Sequence, residues 1–473
     1  MPPPRQQQSQ PQPHRRVTLA VVGDVHSQWD ADSEAALAWL GADVAVFVGD
    51  FGEENVQLVQ RIAALPLPKA VCLGNHDAWF SLTPNGRRRF ARAMLQSSSL
   101  AAREAFSEAP PPGGSTPAIA RQLDALGSDH VGYSSKRFPE LGLTLVGARP
   151  FSKGGKQWSD VAEFYEEHYG VGGPQDSALR ILDVALGAAE GDCKVVVAHQ
   201  GPAGLGDRRH CICGVDWTDP EADHGDRDLQ EALDMMHAQG LRIPLVLFGH
   251  MHSQLKGRGH RNMVEVDPRT GTVYLNAAVV PRVRSFPAPE PAEVPQPHES
   301  SYDSDVPAAG TAGAAGTLGA AAGRGSADGS GSSSGGSREE TIKAHHFVLV
   351  ELFAGAVAAA RDVWVGVRPA AGSSSGSSSG SSRECSIVHQ QELVRTTLTA
   401  AAGAAAAEGS QATSPAAAAL AVGPLLTQPP AAAAEQGEEG AEAEASEYVC
   451  SIYRAFTDEW EPFVLPLPLP ADA

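Results

Sequence analysis

VTLAVVGDVH (17–26), DVAVFVGD (43–50) and KAVCLGNHD (69–77) follow one pattern: a short apolar run, a glycine, then Asp, Asn or His. PLVLFGH (244–250) repeats it, KVVVAHQ (194–200) repeats it with Ala before the His, and LTLVGA (143–148) adds another apolar run. Runs this short and this uniformly apolar suit strands buried on both faces. Between them, SEAALAWLG (33–41) and NVQLVQRIAAL (55–65) carry apolar residues at helical spacing. Strands alternating with helices predict an α/β fold with largely parallel strands. In such sheets ligands bind beyond the carboxyl ends of the strands, so the polar residues closing each run are placed to converge.

Five clusters result: Asp24-Val25-His26, Gly49-Asp50, Gly74-Asn75-His76-Asp77, Ala198-His199 and Gly249-His250-Met251-His252. In extended chain, residues two apart point the same way, so Asp24 with His26, and His250 with His252, are expected to face one ion together. Mixed imidazole, carboxylate and amide donors suit Mn, Fe or Zn, whereas Ca or Mg cages are built mostly of oxygen. There are more donors than one ion takes, which points to two divalent metal ions and a bridging carboxylate.

The ordered set D-x-H, G-D, G-N-H-D, lone His and G-H-x-H resembles the calcineurin-like metallophosphoesterase superfamily. The similarity spans residues 17 to about 284. HVGY (130–133), VGARPFS (146–152), CGVDW (213–217) and DHGD (223–226) resemble its cyanobacterial and plant branch. The resemblance implies a four-layer α/β/β/α sandwich and a dinuclear hydrolase of phosphate monoesters or diesters that uses a metal-bridging hydroxide. It implies that Asp24, His26 and His252 hold the first metal, that Asn75, His199 and His250 hold the second, and that Asp50 bridges both. His76 would contact the substrate phosphate or protonate the leaving oxygen, and Asp77 would orient His76. Two departures narrow the subclass. Phe51-Gly52-Glu53 follows Asp50, where protein Ser/Thr phosphatases carry an Arg soon after this motif. Glu53 occupies the position of the Tyr ligand of purple acid phosphatases.

Further out, the pattern dissolves. Residues 285–340 and 369–446 are Ser/Gly-, Ala- and Glu-rich, and read as low-complexity insertions. Between them 341–368 reads as two strands around Gly355 that complete the catalytic core of 17–284, and 447–473 reads as a C-terminal strand and tail. The first 16 residues read as disordered. They lack the apolar stretch of a secretory signal, and the branch resemblance implies a chloroplast setting, with the cytoplasm as the alternative. Of the 473 residues, 36 are Lys or Arg and 56 Asp or Glu, a net charge of −20. That balance disfavours nucleic acid, hence a nuclease, and an anionic membrane. It does not exclude the expected partner, a phosphorylated small molecule or other phosphoester substrate, because bound cations supply positive charge locally. A non-catalytic metal-binding scaffold is the rival from another class. The six cysteines show no disulfide spacing.

Several weaker features have a plain alternative. Arg149 is a candidate for substrate phosphate, with structural ion pairing as the other reading. Trp29 and Trp79 follow metal motifs and are candidates for pocket wall or core. His224 and Asp226 suit the site rim or a helix start. His210, Cys211 and Cys213 suit a soft metal or a variable loop.

Overall fold

The computed structural model describes residues 15–96, 117–287, 341–369, 383–399 and 447–465. The disorder expected for 1–16, 285–340 and 369–446 therefore concerns segments lying mostly outside the described residues.

In chain order the first strands are β1 (Val17–Val22), β2 (Val44–Phe47), β3 (Lys69–Val71), β4 (Ser135–Phe138), β5 (Leu143–Gly147), β6 (Cys193–Val197), β7 (Leu245–Phe248), β8 (Val264–Asp267) and β9 (Thr272–Asn276). The later ones are β10 (Val283–Pro287), β11 (Thr341–Phe353), β12 (Ala356–Pro369), β13 (Arg383–Thr399), β14 (Glu447–Arg454) and β15 (Glu459–Leu465). The helices are α1 (Ala31–Leu40), α2 (Val56–Ala63), α3 (Pro84–Gln96), α4 (Ala118–Leu126), α5 (Ala162–Tyr169), α6 (Pro174–Leu186) and α7 (Arg227–Ala238). Among the described residues these strands form two sheets. One runs β15-β14-β13-β12-β11-β1-β2-β3 with β10 also on β11, and the other runs β4-β5-β6-β7-β9-β8.

The strands are parallel where helices connect them, along β1-β2-β3 and β5-β6-β7. The long β11–β15 ladder is antiparallel, contrary to the largely parallel expectation. The reason is connectivity: the two residues Ala354 and Gly355 join β11 to β12, and so tight a link only suits antiparallel neighbours. β11 lies against β1, with Val17 opposite Leu352 and Val21 opposite Val348. One boundary moves. The stretch 369–446, read as insertion, contains β13, which pairs β12 on one side and β14 on the other.

Strand alternation sorts the side chains into layers. Leu19, Val21 and Val46 of the first sheet meet Leu145, Val197 and Leu247 of the second in one core between the sheets. On the outer faces, Val22 and Phe47 share a core with Leu58, Val59 and Ile62 of α2, and Val146 and Val196 share it with Ile181 of α6 and Leu229 of α7. The result is helices, sheet, sheet, helices: the α/β/β/α sandwich. Each such side chain contributes about 1.5–3 kcal/mol when fully buried. The helices start where the chain supplies caps. The Asp30 carboxylate accepts from Asp32 N and Ser33 N at 3.0 Å each, and Asn55 accepts from Leu58 N at 3.0 Å. Pro174 occupies the first turn of α6. Among the described residues no helix is long and apolar enough to cross a membrane.

Candidate metal centre

The five clusters sit on the loops directly after β1, β2, β3, β6 and β7, at one end of both sheets. How they converge differs from strand alternation. β1 ends at Val22, and Asp24, His26, Asp50 and His250 all take left-handed backbone, with φ of 44°, 42°, 56° and 66°. Non-glycine residues adopt this region at a cost of order 1–3 kcal/mol each, and they concentrate where a site demands it. Close backbone approach is part of the same design. A Cβ on Gly74 would lie 2.3 Å from Asp50 Oδ1 and 2.5 Å from His199 Cε1. Only a glycine lets the third loop reach the centre.

Two groups of donors face each other across Asp50. In the first, Asp24 Oδ2 lies 3.1 Å from His252 Nε2 and 3.8 Å from His26 Nε2. The two imidazole Nε2 atoms are 3.2 Å apart. In the second, His199 Nε2 lies 3.0 Å from Asn75 Oδ1 and 3.3 Å from Asp50 Oδ1, with His250 in ring contact at 5.1 Å. Asp50 reaches both, because its Oδ2 is 3.9 Å from His26 Nε2. Donor atoms of Asp24, His26 and His252, of His26, Asp50 and His76, and of Asp50, His199 and His250 each fall within 4.8 Å of one another.

Hydrogen bonds hold the His199 ring and the neighbouring loops in place. His199 Nδ1 donates to Val48 O at 2.6 Å, which turns Nε2 toward Asp50. His250 N donates to Asp24 Oδ1 at 2.9 Å, and His76 N donates to Asp50 Oδ1 at 2.8 Å. Asp24 Oδ2 is left buried with no hydrogen-bond donor among the described residues.

Asp77 contacts backbone amides, with no hydrogen bond to His76 among the described residues. Its fully buried carboxylate accepts from Asp50 N at 3.0 Å, Phe51 N at 2.8 Å and Gly74 N at 2.8 Å. It organises the loops bearing Asp50 and Asn75, and the His76 ring is set instead by stacking on Trp79, centroids 4.4 Å apart. Arg149 is buried, Nε 2.8 Å from Asp228 Oδ2 and Nη2 bonded to Asp226 Oδ1, so its charge is already taken by two carboxylates. Trp29 is core and is covered by the Arg282 guanidinium at 5.0 Å, whereas Trp79 is exposed beside His76. His210 lies flat on Phe456, centroids 4.2 Å apart, and Cys213 is buried in the core.

The electrostatics follow from burying two carboxylates together. Burial opposes ionisation of Asp50, but the charge and hydrogen bond of His199 hold it down at about 2. Burial likewise opposes the His199 imidazolium, and Asp50 overcomes this, raising it to about 9. Burial opposes ionisation of Asp24 too, but the close His252 and His26 imidazoles hold it well below the carboxylate range. Burial lowers His250 to about 3 and lowers His76 as well. Burial, then the Asp50 charge, raises Asp77 to about 7. The centre thus presents two ionised carboxylates, one of them paired with the His199 imidazolium, a neutral His250 and an orphaned carboxylate oxygen, a donor set that divalent cations can occupy as that proton is released. Imidazole, carboxylate and amide donors match borderline divalent ions.

Several residues carry the site without a sequence motif. Val48 contributes only a carbonyl. Lys153, Lys156, Trp217, His224 and Lys256 line a cavity of about 950 Å³ that reaches Asp50, His76, His250 and His252. Of these, Trp217 and His224 lie in the CGVDW and DHGD stretches, whereas the three lysines carried no sequence signal.

A family model described as calcineurin-like phosphoesterase matches residues 17–254, a span that contains all of the converging donors. Among solved structures, a dimetal phosphatase from Danio rerio is 11% identical with a TM-score of 0.24, covering 56% of this chain and 87% of that one. Another solved chain is 11% identical with a TM-score of 0.32, covering 56% of this chain and 91% of its own. No curated protein matches the chain.

Proposed function

We propose, from the premise that this chain belongs to the calcineurin-like phosphoesterase family, that Asp24, His26 and His252 hold one divalent cation, that Asn75, His199 and His250 hold a second, and that Asp50 bridges them. The family makes the chain a metal-dependent phosphoester hydrolase. The observation that carries the finer reading is Asp50 standing between the two groups, one oxygen 3.3 Å from His199 and the other 3.9 Å from His26. Bound divalent ions supply Lewis acidity there, polarising phosphoryl oxygens and making water more acidic.

The chain's own residues do the rest. The left-handed turns at Asp24, Asp50 and His250 fix the donors before substrate arrives, so little reorganisation accompanies reaction. His76 is half-buried on the cavity wall, next to His26 and stacked on Trp79. A phosphate ester beside this ring favours its protonated form, and a ring nitrogen then passes that proton to the leaving oxygen. Asp77 acts through the backbone of Asp50 and Gly74 and is a positioning residue. Arg149, committed to Asp226 and Asp228, takes no part in this reading.

The test is hydrolysis of p-nitrophenyl phosphate and of bis(p-nitrophenyl) phosphate by the full chain reconstituted with Mn, Fe(II) or Zn. The expected result is turnover of at least one ester, lost in Asp50→Ala while the thermal unfolding transition persists. No turnover of either ester with any of the three metals would overturn the reading and favour a scaffold.

A further inference from the structure

The cavity beside the metal centre is far larger than a phosphoryl group requires, and its wall has the wrong sign for this chain. Against a net charge of −20, the residues lining it include Lys153, Lys156, Lys256 and Arg261. Its two acids outside the metal centre are already engaged. Asp223 accepts from Gly204 N at 2.6 Å and Gly225 N at 2.8 Å. Asp216 accepts from Lys256 N and lies 4.0 Å from Arg261 Nη2. Arg261 is itself spent on the carbonyls of Arg209 and Cys211, at 2.8 Å each. The lysines remain. Lys153 shares Asp160 at 3.3 Å in a half-exposed pair, and Lys156 and Lys256 have no ion-pair partner among the described residues.

The first two lysines sit on a built turn. His224 Nε2 donates to Lys153 O at 2.9 Å, while the His224 carbonyl accepts from Gly155 N at 2.8 Å and from Gln200 Nε2 at 2.9 Å. Gly154 and Gly155 have φ of 70° and 78°, and a Cβ on Gly154 would lie 2.5 Å from His224 O, so the turn fits this closely only with glycine between the two lysines. The His224 ring lies parallel to His250, centroids 6.1 Å apart, and meets Trp217 edge-on at 5.2 Å. His224 therefore clips the lysine turn to the metal centre. Trp217, about half exposed, adds an aromatic face to the same cavity.

We propose that the Lys153–Lys156 turn, together with Lys256, is a second anion subsite, so that the substrate is a small metabolite carrying a second phosphate besides the one at the metals. This rests on the phosphoesterase reading of the metal centre. The shared chemistry is the second phosphate. A bisphosphorylated sugar and a nucleoside diphosphate are two sources of it, and Trp217 offers an apolar face to either.

The experiment is calorimetric binding to the Mn-loaded full chain of two pairs: glucose 6-phosphate with glucose 1,6-bisphosphate, and AMP with ADP. At least one doubly phosphorylated partner is expected to bind about tenfold tighter than its singly phosphorylated one, as charge-assisted contacts to several lysines imply, and the tighter pair identifies the source. The preference falls to about twofold or less in Lys153→Gln/Lys156→Gln/Lys256→Gln, is partly lost in Lys256→Gln alone, and weakens with added salt. Thermal unfolding checks that each variant is folded. Equal binding within both pairs, or a preference that survives the triple substitution, overturns the subsite. If p-nitrophenyl esters are turned over while the preference is absent, the subsite fails and the hydrolase reading stands. A preference without any turnover has the opposite meaning.

Discussion

The two donor groups flanking Asp50 are built differently. His199 is wholly buried, its Nδ1 pinned to Val48 O, its Nε2 facing both Asn75 and Asp50. On the other side the His252 side chain is 43% exposed and that of His26 20%, and their ring nitrogens face each other directly. The first group is preorganised by the protein interior, and the second opens on solvent and on the cavity. Preorganisation lowers the cost of binding an ion, and exposure speeds its exchange. The comparison therefore predicts one cation held tightly and one held loosely, with Asp50 common to both.

The largest effect should come from the residue both sides share. Asp50→Ala should lower kcat for p-nitrophenyl phosphate by at least about 10³-fold, beyond the loss typical of one transition-state donor. Metal analysis of the same variant should show both ions depleted. If it binds two ions normally, Asp50 does not couple the groups.

Next come the two sides separately. His199→Ala should lower activity by about 10²-fold or more and resist rescue by added Mn, because the vacated position is sealed from solvent. His252→Ala should lose about tenfold at stoichiometric metal and recover in excess Mn. Metal titrations of activity check both, and equal rescue of the two variants would erase the asymmetry.

His76 lies outside both groups yet beside the open one. His76→Ala should cost about 10²-fold with an alkyl phosphate, whose leaving oxygen needs a proton, and far less with p-nitrophenyl phosphate. Equal losses on the two esters would assign His76 to phosphate binding instead.

The smallest effect separates the centre from an ordinary buried imidazole. His130 is half-buried, but its Nε2 is sealed from solvent with no hydrogen-bond partner among the described residues, and burial lowers its pKa to about 4. Its pKa is depressed on folding, so the unfolded chain binds the extra proton between about pH 6.5 and 4, and the stabilisation falls as pH drops through that window. From pH 7 to 5 the loss is about 2 kcal/mol. Denaturant unfolding of wild type and His130→Gln at both pH values should show a pH dependence smaller by that amount in the variant.

Much of the centre was legible because each ligand closes an apolar run, and burial makes such runs conspicuous. Asp24, Asp50, Asn75, His199 and His250 sit at strand ends for that reason. What hid was anything carried by backbone. The left-handed turns at Asp24 and His26 replace the extended alternation expected of D-x-H, and a φ angle leaves no mark on side-chain pattern. Asp77 looked like a partner for His76 because they are adjacent, whereas two amides of the loop after β2 and one of its own loop claim its carboxylate. β13 was masked by the Ser/Gly and Ala tracts around it, although Ile387, Val388, Val394, Thr396 and Thr397 supplied the β-branched signal. Lys256 lies about a hundred residues from the Lys153–Lys156 turn, and only the fold brings them onto one wall.

The most direct test of a dinuclear centre bridged by Asp50 is electron paramagnetic resonance of the Mn-loaded full chain, read alongside metal content. The account predicts two Mn per chain and an exchange-coupled multiline signal that disappears in Asp50→Ala. A signal from isolated Mn only, with one equivalent or fewer bound per wild-type chain, would contradict it.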